Sequence, residues 1–351
     1  MTTLETFTIT GIAIPTDTTH MLDEIAEHFV EHSEVERGET TVVLSSEYGR
    51  VETRAVDGRL LIEITCPTAQ LLEAIRTVMA EHLFMFAGDE PLELTWSDST
   101  QRQALPDLHE VTVVSVSDIT PRMRRVVFEC ADPAPFLGGG FHVRLLIPPK
   151  DRTPVWPTPR PDGRIAWPEG EDALAVRVYT IRAVDPDRRQ LTVDFLQHHN
   201  GEHDAPGGRF ARDARPGDRL ALLGPGGGGL PPGRRVLLAG DETALPAIAR
   251  IAAEAAPETT ITALVEIEDD RERQALPSQA RVDLRWLVRD GRPAGAAGLL
   301  PEAIAREMAR LEEATYVWVG CGKNEARIVR ESLKACGHDR HAMSVAAYWQ
   351  P

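Results

Sequence analysis

The chain has 351 residues, and 54 acidic against 38 basic side chains give it a formal net charge of −16 with the histidines neutral. Hydrophobic residues at 42% and charged ones at 26% are the composition of a soluble globular protein, and at roughly 100–200 residues per domain the length implies two or three domains. An acidic shell lacks the basic footprint that nucleic acid or anionic lipid requires, and it repels a polyanionic ligand except where a local pocket is basic.

The first residues, MTTLETFTITGIAIPTDTT, show no basic segment followed by an apolar one, and no later run approaches the ~18 apolar residues of a membrane span. The expected location is the cytoplasm. Residues 1–97 read as a self-contained α+β domain. Thr6–Ala13 alternates as a strand, and Met21, Leu22, Ile25 and Phe29 share one helical stripe. Strands are predicted at Thr40–Ser45, Arg50–Ala55 and Arg59–Thr65, a second helix carries Leu71, Leu72, Ile75, Val78 and Met79, and Pro91–Trp96 returns as a strand. The order β-α-β-β-β-α-β predicts an antiparallel sheet with helices on one face.

A polar linker, SDSTQRQALPD, precedes six short strands: Val111–Val116, Arg124–Glu129, His142–Ile147, Ala173–Ile181, Gln190–Phe195 and Arg219–Leu223. Few helices intervene, so residues 108–232 are predicted to close into a six-stranded antiparallel barrel. Between its third and fourth strands runs PPKDRTPVWPTPRPDGRIAWPEGED, too long for a hairpin turn. From residue 233 to 351 the rhythm is parallel α/β: strands Val236–Ala239, Thr260–Ile267, Val282–Val288 and Tyr316–Gly320 alternate with helices Ala244–Ala255, Leu300–Leu311 and Lys323–Cys336.

Two motifs carry chemistry. In RVYTIR, Arg177 and Tyr179 point to one face of a strand and Thr180 to the other. A guanidinium clasps phosphate, a phenol ring offers a stacking face, and a hydroxyl or amide bonds a ring nitrogen, which together suit a flavin nucleotide. The second, GDETALPAI (Gly240–Ile248), joins a parallel strand to a helix whose first turn accommodates Pro246, a place suited to a pyrophosphate or a nicotinamide ribose. By contrast, GPGGGG (Gly224–Gly229) fits G-x-G-x-x-G only formally: it precedes a strand, and is read as a flexible interdomain connection.

Cys66, Cys130, Cys321 and Cys336 include no CxxC, so free buried thiols are expected. His28 and His32 lie four apart on a helix, and His198, His199 and His203 cluster in LQHHNGEHDAPGG. Neither group has a carboxylate or thiolate set at ligand spacing, so a solvated face and a polar turn are expected, and no metal site.

A barrel bearing RVYTIR followed by a parallel domain opening with GDETALPAI resembles the siderophore-interacting protein family, FAD-dependent ferric-siderophore reductases related to ferredoxin–NADP reductases. ITPRMRRVVF, HVRLLIPP, VDFLQHH, ARPGDRLALLGPGG, TYVWVG and AYWQ are similar to the family as well, and the resemblance covers about residues 108–351. The first 97 residues are similar to a small uncharacterised domain sometimes fused to such reductases.

The resemblance implies FAD with Arg177 on its phosphates, Tyr179 stacked on the isoalloxazine, Thr180 near the reactive ring nitrogen and His198 at the end of the next barrel strand. Gly207 and Gly208, in APGGRF, stand where the family has a GPAS pyrophosphate turn, and Asp241, Glu242, Thr243 and Trp349 are expected at the flavin and nicotinamide interface. Arg144 is the expected cationic contact for an anionic ferric chelate and, with Thr180, a candidate catalytic residue; Arg124, Arg125 and Arg250 are weaker candidates. Two departures fall on the nicotinamide and substrate side: Cys321-Gly322 replaces a glycine-glutamate, and Gln350 stands where the family has a terminal arginine.

The implied activity passes electrons from NADH or NADPH through FAD to a ferric siderophore or other ferric chelate. Glu266 at a strand end favours a ribose 2′-hydroxyl, whereas Arg271 and Arg273 suit a 2′-phosphate, and a reduced ferredoxin is the alternative donor. The alternatives are a general NAD(P)H-flavin oxidoreductase with another acceptor, and a non-catalytic partner- or siderophore-binding protein.

Overall fold

Alternating apolar and polar residues build the first sheet of the computed structural model, which describes residues 6–30, 33–98, 104–197, 205–296, 298–310 and 314–350. The N-terminal elements run β1 (Phe7–Ile14), α1 (Thr18–Phe29), β2 (Glu34–Arg37), β3 (Thr41–Ser46), β4 (Gly49–Val56), β5 (Arg59–Cys66), α2 (Ala69–Ala87) and β6 (Glu93–Trp96). The strands pair antiparallel in the order β2-β3-β4-β5-β1-β6. Leu60, Ile62 and Ile64 of β5 turn inward to Met21, Leu22, Ile25 and Phe29 of α1, while Leu61 and Glu63 face out. Asp17 starts α1 by accepting the Thr19 and His20 amides, and Thr68 caps α2 through the Leu71 amide.

Two sequence expectations change here. The short, polar β2 adds a fourth strand between the helices, invisible to a search for apolar alternation. His28 is not simply solvated: its ring lies 4.6 Å from that of His82 and 5.4 Å from Phe86, within an aromatic cluster joining α1 to α2. His32 lies outside the described residues.

The barrel comprises β7 (Leu108–Asp118), β8 (Met123–Cys130), β9 (His142–Ile147), β12 (Ala175–Asp185), β13 (Gln190–Leu196) and β14 (Arg219–Gly226), closed in the order β12-β13-β8-β7-β14-β9. Val111, Phe128, Leu145, Ile181, Val193 and Phe195 fill it. Helix α3 (Pro206–Asp213) follows β13. Between β9 and β12 the long excursion forms a small hairpin, β10 (Thr158–Pro159) with β11 (Ile165–Ala166). The chain divides into two compact units, residues 1–106 with 155–173, and residues 107–154 with 174–351. The middle of the excursion therefore belongs with the N-terminal domain, whereas the barrel and the α/β domain form one unit.

The glycine run is also more than a flexible connection. Gly224–Gly226 complete β14, and Gly227, at φ +74, lies where a Cβ would stand 2.7 Å from the His142 ring. Glycine is needed there for its left-handed backbone and for the closeness of that ring.

The α/β domain follows as β15 (Arg235–Gly240), α4 (Leu245–Glu254), β16 (Thr260–Ile267), β17 (Arg281–Val288), α5 (Leu299–Met308), β18 (Tyr316–Gly322), α6 (Lys323–Ala335) and β19 (Met343–Trp349). All five strands are parallel, in the order β17-β16-β15-β18-β19, so the strand order reverses between β15 and β18. Ligands of such sheets bind outside the carboxyl ends of the strands at this point. The fifth strand, missing from the sequence reading, brings Tyr348 and Trp349 there. Cys66, Cys130 and Cys321 are buried thiols as expected, but Cys336 is exposed.

Candidate functional site

Strand β12 carries the first motif, and its register fixes what lies beside each residue. Thr180 pairs with His142 of β9, and Val178 with Arg144. Cross-strand partners share a face, so His142, Arg144, Val178 and Thr180 form one row, and Arg177 and Tyr179 lie on the other. Arg144 is exposed, with no ion-pair partner among the described residues, and Val178 beside it is 64% exposed. Thr180 is buried and its hydroxyl has no described partner. On the other face, Arg177 is exposed and donates only to its own strand, Nη1 to the Val176 carbonyl at 2.7 Å.

Tyr179 is held from both sides. Its ring centroid lies 4.4 Å from that of Phe195, and a Cβ on Gly207 would fall 2.7 Å from its Cζ. Burial pushes the phenol up to about 12, so it stays neutral. Gly207 and Gly208 were expected in a turn; they form instead the first turn of α3, with Pro206 at its start. That N-terminus presents amides without intrahelical acceptors, next to the Tyr179 ring and with no Cβ in the way.

His142 and Tyr348 are a pair the sequence reading missed. Nε2 of His142 and the Tyr348 hydroxyl are 2.7 Å apart, although 206 residues separate them. Burial, assisted by the charge of Arg250, lowers the His142 pKa and keeps the ring neutral, and burial raises that of Tyr348. Gly320 allows the approach, since a Cβ there would meet the Tyr348 ring at 3.0 Å. Both residues stood in segments singled out by sequence, HVRL and AYWQ, but only folding brings them together.

The second motif is braced from within. Asp241 accepts the Thr243 amide at 2.9 Å and the Thr243 hydroxyl at 2.5 Å through Oδ1, and the Trp349 indole N–H at 2.6 Å through Oδ2. Glu242 receives Nη2 and Nη1 of Arg289 at 2.6 and 2.8 Å. Both carboxylates are 2–3% exposed. Their side chains fix the turn and the last strand, and Thr243, half-buried, is the more open of the three. Trp349 is likewise committed to Asp241, with its ring against Gly322 and Gly295.

A buried charge network joins the α/β domain to the barrel. Arg289 also reaches Glu266 at 3.3 Å; Arg122 of the barrel pairs with Glu268 and lies 3.9 Å from Glu242; and Glu272 accepts the Thr120 hydroxyl and the Arg122 amide. Glu266 is wholly buried, so it does not present a carboxylate to a ribose as the sequence suggested. Arg271 and Arg273 are paired with Asp269 and Asp270. Glu325, at the start of α6, is buried with neither carboxylate oxygen hydrogen-bonded, and burial followed by the charges of Glu266 and Asp241 raises its pKa to about 7.

The same contacts sort the arginines. Arg250 is 1% exposed, donates to the carbonyls of Ile181 and Phe136, and lies over the Phe141 ring. Arg125 clasps Asp194 bidentately, and Arg124 bonds Asp118 and the Ala211 carbonyl. All three are engaged within the fold, whereas Arg144 has no ion-pair partner among the described residues. His198, with His199 and His203, lies outside the described residues. Among the described residues no group of three potential ligands could hold a metal ion, and no helix is long and apolar enough to cross a membrane.

Comparison with known proteins agrees with this architecture. Residues 112–229 match the siderophore-interacting FAD-binding domain, residues 233–351 the siderophore-interacting protein model, and residues 13–97 a model described as an uncharacterized protein conserved in bacteria. A siderophore utilization protein from T. fusca is 35% identical, with a TM-score of 0.58 over 72% of this chain and 95% of that one. The NADPH-dependent ferric-chelate reductase of Escherichia coli is 29% identical over 68% of this chain and 92% of its own. The ferric vibriobactin reductase of Vibrio cholerae is 27% identical over 60% and 80%. With its flavin-type barrel, its parallel α/β domain and these matches, the chain belongs to the siderophore-interacting protein family, to which it adds an N-terminal α+β domain.

Proposed function

We propose that the chain is an FAD-dependent reductase that passes electrons from NAD(P)H to the iron of ferric siderophores or other ferric chelates and releases Fe(II) in the cytoplasm. The observation that carries this reading is the open surface of β12 against α3, in a barrel that matches an FAD-binding domain. Its residues fit a flavin dinucleotide. Arg177 offers a guanidinium without a described carboxylate partner, and the first turn of α3 is bare of Cβ atoms at Gly207 and Gly208.

In this reading Arg177 and the α3 amides hold the phosphates, the first by charge and the second by direction. Tyr179, wedged between Phe195 and Gly207, supplies a fixed neutral ring face, and Thr180, whose side chain points to the other face of the strand, orients the reactive edge through the backbone N–H beside that ring. Flavin, when bound, accepts a two-electron hydride and returns electrons singly, which is the conversion a nicotinamide donor and a one-electron ferric acceptor require. Asp241 and Glu242 position the turn after β15 and the Trp349 ring at the nicotinamide side. Arg144, exposed beside Val178, attracts anionic chelates that the acidic remainder of the protein would repel. Reduction itself frees the metal, because hard oxygen donors hold Fe(II) less tightly than Fe(III).

The relative named for NADPH supports a nicotinamide donor; a reduced ferredoxin remains the competing donor in the assay. The test is reconstitution with FAD, anaerobic bleaching by NADH or NADPH, and trapping of Fe(II) after addition of a ferric chelate. Failure to bind FAD removes every oxidoreductase reading. Bleaching without iron reduction, with free flavin or quinone accepted instead, replaces it by the general flavin oxidoreductase.

A further inference from the structure

The connection between β9 and β12 spans residues 148–174, and it cannot order itself. Its regular structure is a hairpin of two-residue strands and a single 3-10 turn at Gly170–Asp172, which is far below what is stable in water, and each ordered residue costs roughly 1–2 kcal/mol of backbone entropy. What orders it is the N-terminal domain. Four successive residues, Asp162 to Ile165, each meet a complementary group. The Asp162 carbonyl accepts the Trp96 indole N–H at 2.8 Å, and the Ile165 amide donates to the Glu81 carboxylate at 2.8 Å. The Arg164 guanidinium lies 3.4 Å from the centroid of the Phe84 ring. Gly163, at φ +92, fits where a Cβ would be 2.9 Å from the Trp96 indole nitrogen and 3.3 Å from Ala80.

The receiving groups come from α2 and the end of β6, and they are themselves braced: Arg76 lies 5.5 Å over the Trp96 ring and is paired with Glu73. Hydrogen bonds from opposite directions, a ring face and a shape that excludes any side chain make a specific seat for one short peptide.

We propose that the function of residues 1–97 is to anchor the barrel's own β9–β12 connection, and that this keeps the strands bearing Arg144 and Arg177 joined by an ordered segment when a ferric chelate binds. The domain is thus a scaffold for substrate binding. The second half of this statement rests on the reductase reading above.

Hydrogen exchange on the full-length protein tests the anchor, with Arg164→Ala and, independently, Gly163→Val; both changes lie in the hairpin and leave the N-terminal core residues intact. Exchange across residues 155–173 is expected to accelerate at least tenfold while α1 and β5 keep their protection. Unchanged exchange in both variants overturns the anchor. In parallel, KM for a ferric tris-catecholate is expected to rise severalfold with the rate of flavin bleaching by the nicotinamide donor unchanged. Faster exchange with an unchanged KM overturns the link to substrate. Exchange is read without turnover, so a wild-type protein that reduces no chelate would refute the reductase reading and the substrate link while the anchor is still decided.

Discussion

Arg250 separates a structural from a substrate-binding arginine, and its replacement by methionine gives the sharpest test of the contacts described. The guanidinium is 1% exposed and donates at 2.9 Å to the Ile181 carbonyl, at 2.7 Å to the Phe136 carbonyl and at 2.8 Å to Glu254. It also lies 4.4 Å from the centroid of Phe141. Methionine refills the stem but leaves two buried carbonyls without a donor, at about 1–3 kcal/mol each, and forfeits a desolvated cation–π contact of up to ~2 kcal/mol. Glu254 is partly exposed and regains water. A total of about 3–5 kcal/mol corresponds to a melting temperature lower by roughly 6–20 °C for a unit of this size. Ile181 follows Thr180, so FAD affinity should fall as well. Differential scanning calorimetry, with chelate KM measured at a temperature where the variant is folded, decides the matter. A variant that melts with the wild type and loses affinity for anionic chelates alone would refute the structural assignment.

Arg177→Ala should weaken FAD binding by about tenfold to a hundredfold, the worth of one or two charge-assisted hydrogen bonds, with no change in melting temperature because the side chain holds no other described partner; equal FAD affinity in a fluorescence titration contradicts this. Glu325 has a folded pKa raised to about 7, above that of an unfolded glutamate, so the folded state binds the extra proton. Its contribution is therefore fully present below about pH 4.5 and is lost as pH rises through 7. Glu325→Gln is expected to melt higher than wild type at pH 8 and to lose this advantage by pH 5; a variant less stable at pH 8 would show that the charged form is favoured. Arg144→Ala should raise KM for an anionic tris-catecholate a few-fold at low ionic strength, leave a neutral hydroxamate complex unaffected, and converge on wild type at high salt. A salt-independent effect on both complexes would make Arg144 a packing residue.

Much of the architecture could be read from the chain because it is local. The inward row Leu60, Ile62, Ile64 and the stripe Met21, Leu22, Ile25, Phe29 are periodicities of single elements, and RVYTIR and GDETALPAI are each contiguous. Elements without an apolar signature were lost: β2 is polar, and α3 begins with Pro-Gly-Gly, which reads as a turn until its later residues pack on the barrel.

The sequence by itself determined the order of the domains, the acidic balance and the residue types on each face of β12, since these depend on composition, spacing and the two-residue period of a strand. Tertiary structure alone decided which charged residues remain available. Among the arginines, Arg250 and Arg125 are consumed by buried carbonyls and by Asp194, whereas Arg144 and Arg177 remain exposed. Asp241, Glu242 and Glu266 turn inward to Trp349 and Arg289, a distinction that no spacing encodes. The pairing of His142 with Tyr348, and of the hairpin at Asp162–Ile165 with α2, joins segments far apart in the chain. The physical reason is common to all of these: a charge or a donor takes its role from the partner and the dielectric around it, and both are set by residues brought near only when the chain folds.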